Sequence, residues 1–348
     1  MKVKLEDVCE RGTSNLKQSD TAKTSGDYPI YGASGYIGNT NFYHQEKPYV
    51  AVVKDGAGVG RAALYPANSS VIGTMQYLLP KDNVLPKYLF YVVSYMHLEK
   101  YYTGATIPHI YFKDYKNEEF NLDLLERQAE IVEILEKCEK IIEKRKQEIQ
   151  LLDQLIKARF VEMFGDCDDM VSISDLCSII TDGTHQSPKF QESGIPFILV
   201  SNLSNNTVTY NTEKYISEET YNELYKRTPI EKGDLLLSTV GSYGHPAVVT
   251  ENTRFLFQRH IAYLKPKREV VNSFYLHSAL LAPDGQRQIE EKVKGIAQKT
   301  LNLSEIRTIR IPVPEIEEQN AFEDFVHQVT KSKLFEFSSL QNHTGMLQ

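Results

Sequence analysis

A long amphipathic pattern fills the middle of the chain. Between residues 126 and 164 there is neither glycine nor proline, and one apolar column recurs at every seventh position. Its members are Leu135, Ile142, Ile149, Ile156 and Met163. Two flanking columns are also apolar, and they comprise Ile131, Cys138 and Leu152 on one side and Ile134, Ile141 and Leu155 on the other. The spacing predicts one long helix, ended by Gly165, whose apolar stripe is wide enough to contact both a second helix and a globular domain.

A second helical pattern follows Pro312 and Pro314. Its apolar positions are regular at first and less regular later, and they are Phe322, Phe325, Val326, Val329, Leu334, Phe335, Phe337 and Leu340. This pattern is the shorter one, because only 29 positions follow Gln319, whereas 37 positions lead from Gln128 to Gly165. Each helix follows its own globular segment, so the two seams are predicted to pair in an antiparallel coiled coil.

The segment before each helix has a different character. Short β-favouring runs such as Tyr49–Val53 and Phe197–Val200 alternate with glycine, proline and asparagine turn signals. We therefore predict an α+β fold with two mixed, mostly β domains separated by two long antiparallel helices. The expected boundaries are residues 1–122 for the first domain, 123–166 for the first helix, 167–314 for the second domain and 315–348 for a shortened second helix.

The two halves of the chain repeat one another. Val3–Cys9 matches Val171–Cys177 at an offset of 168 residues, and three further matches follow in the same order at offsets of 184, 186 and 191. These pair Gly60–Leu64 with Gly244–Val248, Pro86–Phe90 with Asn272–Leu276, and Leu124–Gln128 with Glu315–Gln319. Four matches in one order, with a steadily growing offset, predict a duplicated unit whose second copy has longer loops.

Charge is distributed unevenly along the chain. The net charge of −7 would by itself disfavour a polyanionic partner. Residues 117–168 and 313–348 carry −6 and −4, however, whereas residues 1–116 carry +3 and residues 169–312 carry 0. The acidic excess therefore lies on the helices and their flanks, and the two mostly β domains remain able to approach DNA.

Several protein classes are disfavoured by features that the sequence lacks. The cysteines at positions 9, 138, 167 and 177 have no CxxC spacing, so neither a zinc site nor a disulfide framework is expected. No apolar run approaches the roughly 18 residues of a membrane span, and the first residues lack the apolar core of a signal peptide. Asp55–Gly60 is rich in glycine but lacks the Gly-Lys-Ser/Thr ending of a phosphate-binding loop. We expect a cytoplasmic protein with no cofactor, no metal and no membrane partner.

Two globular units, each followed by a helix whose start contains Leu-Glu-Arg-Gln or Ile-Glu-Glu-Gln, resemble the specificity subunit of Type I restriction-modification enzymes. Tyr28–Gly38 and Asp55–Gly60 are similar to recurring segments of that family's target recognition domains, as are Thr181–Pro188 and Gly233–Gly244 in the second unit. The segment at residues 162–166 is similar to the end of the family's first spacer helix. The shorter second helix departs from the family pattern.

The resemblance implies a protein that reads DNA and catalyses nothing. Each recognition domain would bind one half of a bipartite, asymmetric target in double-stranded DNA. The helices would set the gap between the halves and dock two modification subunits, which methylate adenine, while restriction subunits would supply the motor and nuclease of the full complex. One alternative is a coiled-coil interaction scaffold without affinity for DNA. A free-standing nuclease is a more distant alternative, because no clustered acidic metal site is evident in the sequence.

Candidate DNA contacts follow from the chemistry of base recognition. Arginine or lysine reads guanine, asparagine or glutamine reads adenine, and hydroxyl or apolar groups read other positions. Residues suited to phosphate or base contacts in loop-like settings of the two units are Tyr31, Ser34, Lys54, Arg61, His109, Thr184, His185, Ser238, His245, Arg259, His260 and Lys299. For any one of them, a phosphate contact or a solvated surface position is the alternative, and Asp55–Gly60 and Thr184–His185 are equally explained as plain turns.

Overall fold

The computed structural model of the protein describes residues 1–21, 26–104, 107–167, 169–295 and 298–345. For residues 20–21 and 333–345 it describes the backbone but not the side chains. The chain divides into two compact units. The first comprises Met1–Lys144 and Gln341–Gln348, and the second comprises Arg145–Leu340. The two long helices therefore each contribute residues to both units.

The described residues of the first unit form three small sheets. Its strands are β1 (Lys2–Lys4), β2 (Cys9–Thr13), β3 (Tyr28–Gly32), β4 (Gly35–Thr40), β5 (Tyr49–Val53), β6 (Ala62–Tyr65), β7 (Ser70–Val71), β8 (Met75–Pro80) and β9 (Glu119–Asn121). The sheet orders are β2-β8-β5-β6, β4-β3-β7 and β1-β9. The helices are α1 (Leu5–Val8), α2 (Gln18–Thr21), α3 (Pro86–Tyr95), α4 (Phe112–Tyr115) and the first half of α5 (Leu125–Phe164), with a 3₁₀ turn at Leu98–Tyr101.

The second unit has the same set of sheets. Its strands are β10 (Met170–Ser172), β11 (Cys177–Asp182), β12 (Ile195–Ile198), β13 (Tyr215–Ile216), β14 (Leu235–Ser238), β15 (Pro246–Val248), β16 (Leu256–Phe257), β17 (Ile261–Pro266) and β18 (Arg310–Pro312). The sheet orders are β11-β17-β14-β15, β13-β12-β16 and β10-β18. Its helices are α6 (Ile173–Leu176), α7 (Glu218–Tyr225), α8 (Ser273–Leu281), α9 (Pro283–Lys292), α10 (Leu303–Arg307) and α11 (Ile316–Gly345), with a 3₁₀ turn at Val200–Leu203.

Strand by strand, the two units share one topology, so the predicted duplication is confirmed. In each unit a four-stranded antiparallel sheet lies beside a three-stranded sheet in which one pair is antiparallel and the other parallel. One sequence match needs a correction of one residue. Helix α3 begins after Leu85 and α8 begins after Asn272, so these positions correspond at an offset of 187, and Pro86 corresponds to Ser273 instead of Asn272.

Apolar residues of the strands and helices form the cores. Tyr49–Val53 is buried along its whole length, which explains why this run lacks the alternation of a half-exposed strand. The largest cluster of the second unit joins the end of α5 to the start of α11 and to α8, through Phe160, Phe164, Phe322 and Tyr275. The end of one long helix therefore packs on the beginning of the other, as in the antiparallel pair that the sequence predicts.

The heptad column of α5 is half-buried, and the two apolar columns beside it differ in exposure. Leu135, Ile142, Ile149, Ile156 and Met163 are all of intermediate exposure. Ile131 packs against the core of the first unit, whereas Ile156 and Met163 pack against that of the second. The other flank is open, since Ile134 and Leu155 are 54% and 46% exposed. The apolar stripe is thus wider than the surface that the described residues cover.

Candidate nucleic-acid interface

A network of backbone hydrogen bonds joins two loops of the first unit. The Gly56 amide donates to the Pro108 carbonyl at 2.9 Å, and the Ile110 amide donates to the Lys54 carbonyl at 2.9 Å. Gly60 closes the glycine-rich loop with a φ of 88°, and a Cβ there would lie 2.4 Å from the Glu99 nitrogen. Only glycine fits this turn beside Glu99, and the two hydrogen bonds hold residues 54–61 against residues 107–111. We call these two segments the first loop surface.

The side chains of the first loop surface combine cations with aromatic rings. The Asp55 carboxylate lies 3.9 Å from the Lys54 ammonium and 3.7 Å from His109 Nδ1. His109 Nε2 lies 3.2 Å from the Tyr111 hydroxyl, and the Lys113 ammonium lies 5.3 Å above the Tyr111 ring. Two of the predicted residues, Lys54 and His109, therefore lie on either side of the Asp55 carboxylate, which partly balances the charge of Lys54.

Arg61 connects the glycine-rich loop to the turn between β3 and β4. Its guanidinium donates to the Ala33 carbonyl at 2.7 Å, next to the exposed Ser34. Tyr31 lies on β3 with its ring centroid 4.4 Å from that of Tyr65, and burial, followed by the nearby Tyr36, raises the pKa of Tyr31. Arg61 and Ser34 thus lie side by side, whereas the Tyr31 ring is half-buried among other tyrosines.

The second unit builds an equivalent network. The Gly241 amide donates to the Lys299 carbonyl at 3.2 Å, and the Leu301 amide donates to the Thr239 carbonyl at 2.8 Å. These two bonds correspond to the two that join the loops of the first unit. The Lys299 ammonium lies 5.8 Å above the Tyr243 ring. Residues 239–245 and 298–301 form what we call the second loop surface.

Three more predicted residues adjoin the second loop surface. The Arg259 amide donates to the Thr184 carbonyl at 3.1 Å, and the Thr239 amide donates to the His260 carbonyl at 2.9 Å. Arg259 Nε donates to His260 Nε2 at 3.2 Å, which requires that nitrogen to be unprotonated. Burial and the Arg259 charge both lower the pKa of His260, so its neutral form is the favoured one. The Arg259 side chain itself is exposed.

The remaining predicted residues have different surroundings. His185 Nε2 lies 2.8 Å from the Asp182 carboxylate, which also accepts from Arg227 at 2.6 Å. His245 Nδ1 lies 3.0 Å from the Asn206 side-chain oxygen. Ser238 departs from the expectation of an exposed hydroxyl, because it is fully buried and its oxygen accepts from the His245 amide at 2.9 Å. Ser238 therefore holds the turn in place and does not present its hydroxyl to a ligand in this conformation.

Comparison with known proteins gives the family of the chain. Residues 1–152 and 168–337 match the family described as the Type I restriction modification DNA specificity domain, so the two matches together cover most of the sequence. The chain belongs to this family. The matches fall on the two repeats, each carrying one loop surface, and they confirm the identification made from the sequence. The two matches give the chain two DNA specificity domains.

Individual relatives agree with this assignment. The specificity subunit of the Escherichia coli Type I restriction enzyme EcoBI is 31% identical over 138 residues, which are 40% of this chain and 29% of that protein. The MjaVIII specificity subunit of Methanocaldococcus jannaschii is 21% identical over 307 residues, covering 78% of this chain and 70% of that protein. The crystal structure of the S subunit of M. genitalium has the same fold, with a TM-score of 0.58, 15% identity and coverage of 100% of this chain and 93% of that one.

The structure places further side chains beside the predicted residues of these domains. Tyr111 and Lys113 adjoin His109, Tyr243 lies beneath Lys299, and Arg227 shares the Asp182 carboxylate with His185. The repeat could have revealed one of them, because Tyr243 lies in the loop that corresponds to residues 54–60. Arg227 follows α7 and is far from Asp182 in sequence, so no local pattern indicates that pairing.

The described residues also bear on metals and membranes. Among them, no group of three or more histidine, cysteine, aspartate or glutamate side chains is arranged to hold a metal ion. In the same part of the chain, no helix is both long and apolar enough to cross a membrane.

Proposed function

We propose that the two loop surfaces read the two halves of a bipartite, asymmetric target in double-stranded DNA. One observation carries this proposal: the same backbone network presents different side chains in the two units. The first network has Lys54 and His109 where the second has Thr239 and Thr300. Conversely, the second network has Lys299 where the first has Pro108. A common framework with altered donors and acceptors is the arrangement that a reader of two unlike half-sites requires.

The predicted DNA contacts fall into groups according to their exposure and to whether they already have partners within the protein. Arg61, Arg259 and Lys299 supply exposed positive charge, which suits phosphate contacts or bidentate recognition of guanine. Ser34, Thr184 and His185 supply short polar groups beside them. Lys54, His109, His245 and His260 are half-buried and already have protein partners, so they act by orienting the loops or by reaching bases after a local rearrangement, and Tyr31 supports β3.

The domains and the helices have different roles in this function. The DNA-reading parts are residues 1–122 and 167–314, and the helical parts at 123–166 and 315–348 set the distance between half-sites. The exposed apolar flank and the acidic charge of α5 suit protein partners, and we propose that these are two modification subunits, joined by restriction subunits in the full complex. Methylation and cleavage then belong to those subunits, which work with the chain in the cytoplasm.

Methylome sequencing tests this function directly. The chain is co-expressed with the modification subunits of its own system in a host without other adenine methyltransferases, and modified adenines are mapped. The expected result is methylation at one split motif with two different halves. Exchanging residues 1–122 for the corresponding domain of a related subunit should change one half of the motif and leave the other. Failure of any split motif to appear, with a soluble complex present, would contradict the proposal.

A second candidate is an interaction scaffold without DNA affinity. Residues 117–168 carry a net charge of −6, and α5 exposes apolar side chains, which together suit protein binding alone. Gel-shift titration of the purified complex with random DNA at low salt separates the two candidates. DNA reading predicts binding that weakens steeply with added salt, whereas the scaffold predicts no shift at any salt concentration.

A further inference from the structure

Helix α7 of the second unit is followed by an arginine that has no counterpart in the first unit. The helix belongs to the segment between β13 and β14, which comprises residues 217–234. The corresponding segment of the first unit, between β4 and β5, comprises only residues 41–48, all of which are described and none of which is helical. Arg227 comes two residues after the end of α7, and its side chain is 52% exposed. The longer segment therefore brings an accessible guanidinium to this unit alone.

The Asp182 carboxylate contacts Arg227 and His185 at the same time. Arg227 Nη2 donates to Asp182 Oδ1 at 2.6 Å, and His185 Nε2 lies 2.8 Å from Asp182 Oδ2. The Asp182 side chain is only 16% exposed and stands at the end of β11, whereas that of His185 is 55% exposed. One largely buried carboxylate on a strand therefore orients two exposed side chains, and we call His185 and Arg227 the bridged pair.

The first unit has no carboxylate at the equivalent position. Asp182 lies opposite Ala262 in the sheet of the second unit, and Thr13 lies opposite Gln76 in that of the first. Both strand partners stand four residues before the proline that pairs with the cysteine at the start of the strand, so Thr13 is the equivalent of Asp182. The contact of Asp182 with Arg227 is thus specific to one repeat, as suits the reading of one of two unlike half-sites.

The bridged pair adjoins the second loop surface. The Arg259 amide donates to the Thr184 carbonyl at 3.1 Å, and Thr184 and Arg227 line the same small cavity. One residue after Arg259, the His260 carbonyl accepts from the Thr239 amide at 2.9 Å, where the second loop surface begins. Arg227 therefore belongs to the part of the unit that carries the predicted DNA contacts.

We propose that Arg227 reads a guanine in the half-site of the second unit, and that Asp182 is a positioning residue that orients the Arg227 guanidinium for this contact. A guanidinium has five N–H donors, and among the described residues only Asp182 accepts a hydrogen bond from it, so enough donors remain for the O6 and N7 atoms of guanine. An arginine that is already held in one orientation loses less conformational freedom on binding than a mobile one. This inference rests on the proposal that the second unit reads DNA.

Substitutions at Arg227 separate base reading from charge. The complex with the modification subunits is titrated with the split motif found by methylome sequencing and with single-base variants of either half. Arg227→Ala should reduce discrimination at one G·C pair about tenfold and leave the other half-site unchanged. Arg227→Lys keeps the charge but lacks the planar fork, so it should retain affinity for random DNA and still lose discrimination at that pair. Lys226→Ala, at the exposed neighbouring position of like charge, is the control and should leave discrimination unchanged.

Substitution of Asp182 tests the positioning role. Asp182→Asn removes a negative charge, so affinity for random DNA should not fall, while discrimination at the same G·C pair should. In the Arg227→Ala background, Asp182→Asn should cause no further loss at that pair, because both residues act through one contact. Thermal melting checks that each variant is folded.

The outcomes separate base reading by Arg227 from the function on which it rests. A parent complex that binds no target DNA would contradict both. If the parent complex discriminates and Arg227→Ala discriminates equally well, only the role of Arg227 is overturned. An equal loss of affinity for every sequence would make Arg227 a phosphate contact and would also overturn it. Undiminished discrimination in Asp182→Asn would overturn the positioning role.

Discussion

The side-chain amides of Gln128 and Gln319 make the same three hydrogen bonds in the two repeats. Each oxygen accepts from the backbone amide at the N-cap of the neighbouring helix, at 2.8 Å and 2.9 Å, and each nitrogen donates to two carbonyls. The partners are Leu85, Asn83 and Asp123 in the first unit and Asn272, Val270 and Pro314 in the second. Both glutamines are fully buried. Their hydrogen bonds connect the first turn of each long helix to the domain that precedes it.

Removing either amide should destabilise its own unit. Gln128→Ala or Gln319→Ala removes a fully buried side chain and leaves one part-buried backbone donor and two carbonyls without this partner, which we expect to cost about 1–3 kcal/mol. Urea denaturation of each variant measures the loss, and hydrogen exchange shows which unit opens. Gln150→Ala, at an exposed position of α5, is the control. A loss no larger than that of the control would mean that these hydrogen bonds do not stabilise the junction.

The heptad column and its exposed flank should respond differently to charge. Ile156 packs against the core of the second unit, whereas the adjacent Leu155 is 46% exposed. Ile156→Asp places a carboxylate in apolar surroundings and should lower the free energy of unfolding by about 2–3 kcal/mol. Leu155→Asp should change it by less than about 0.5 kcal/mol. Thermal melting of the two variants compares them, and similar melting temperatures would show that this column is not the buried one.

Sequence periodicity predicted the helices and the duplication because both depend on local or repeated residue types. The match of Gln128 with Gln319 marked a true equivalence. The match of Pro86 with Asn272 was one residue out of register, since helix starts tolerate proline, serine and asparagine in neighbouring positions. Ser238 was misjudged because a hydroxyl in a Gly-rich segment suits both a buried turn and an exposed contact. Asp182 pairs locally with His185, three residues away, but its pairing with Arg227 depends on tertiary structure that no local pattern contains.

The buried carboxyl group of Asp234 should make stability depend on pH. Burial raises its pKa above the ordinary value of 3.8, although hydrogen bonds from Tyr263 and the Glu231 amide and the charge of Lys265 act in the opposite direction. A carboxyl group whose pKa is higher in the folded than in the unfolded state favours folding when protonated, so its contribution declines as pH rises above 3.8 through the raised value. Asp234→Asn keeps the neutral form at all pH values. Its stability relative to the parent chain should therefore increase between pH 4 and pH 7 in urea denaturation.

Asp284 provides a control of opposite sign for the pH experiment. Burial raises its pKa, but hydrogen bonds from Arg287 and Gln288 outweigh burial, and the net effect lowers the pKa below 3.8. Its carboxylate therefore favours folding once it is ionised. Asp284→Asn should lose stability relative to the parent chain as pH rises from 2 towards 4, by a small amount because the pair is exposed. The same trend for both variants would contradict the assigned role of burial at Asp234.

Arg61 and Arg259 should affect opposite halves of the DNA target. Each is exposed on a different unit, so Arg259→Ala should reduce discrimination at positions of one half-site by about 1–3 kcal/mol, and Arg61→Ala should do so at the other. Binding of the complex to targets with single base changes in either half measures this. Arg254→Ala is the control and should leave discrimination unchanged, because the Arg254 guanidinium, although exposed on the second unit, donates a hydrogen bond to the Glu218 carboxylate at 2.5 Å. If either arginine contacts only phosphate, affinity should fall equally for all sequences tested and the salt dependence of binding should weaken. If one substitution reduced discrimination between bases in both half-sites, the two loop surfaces would act on the DNA as a single site, and the proposal that each unit reads its own half-site would be contradicted.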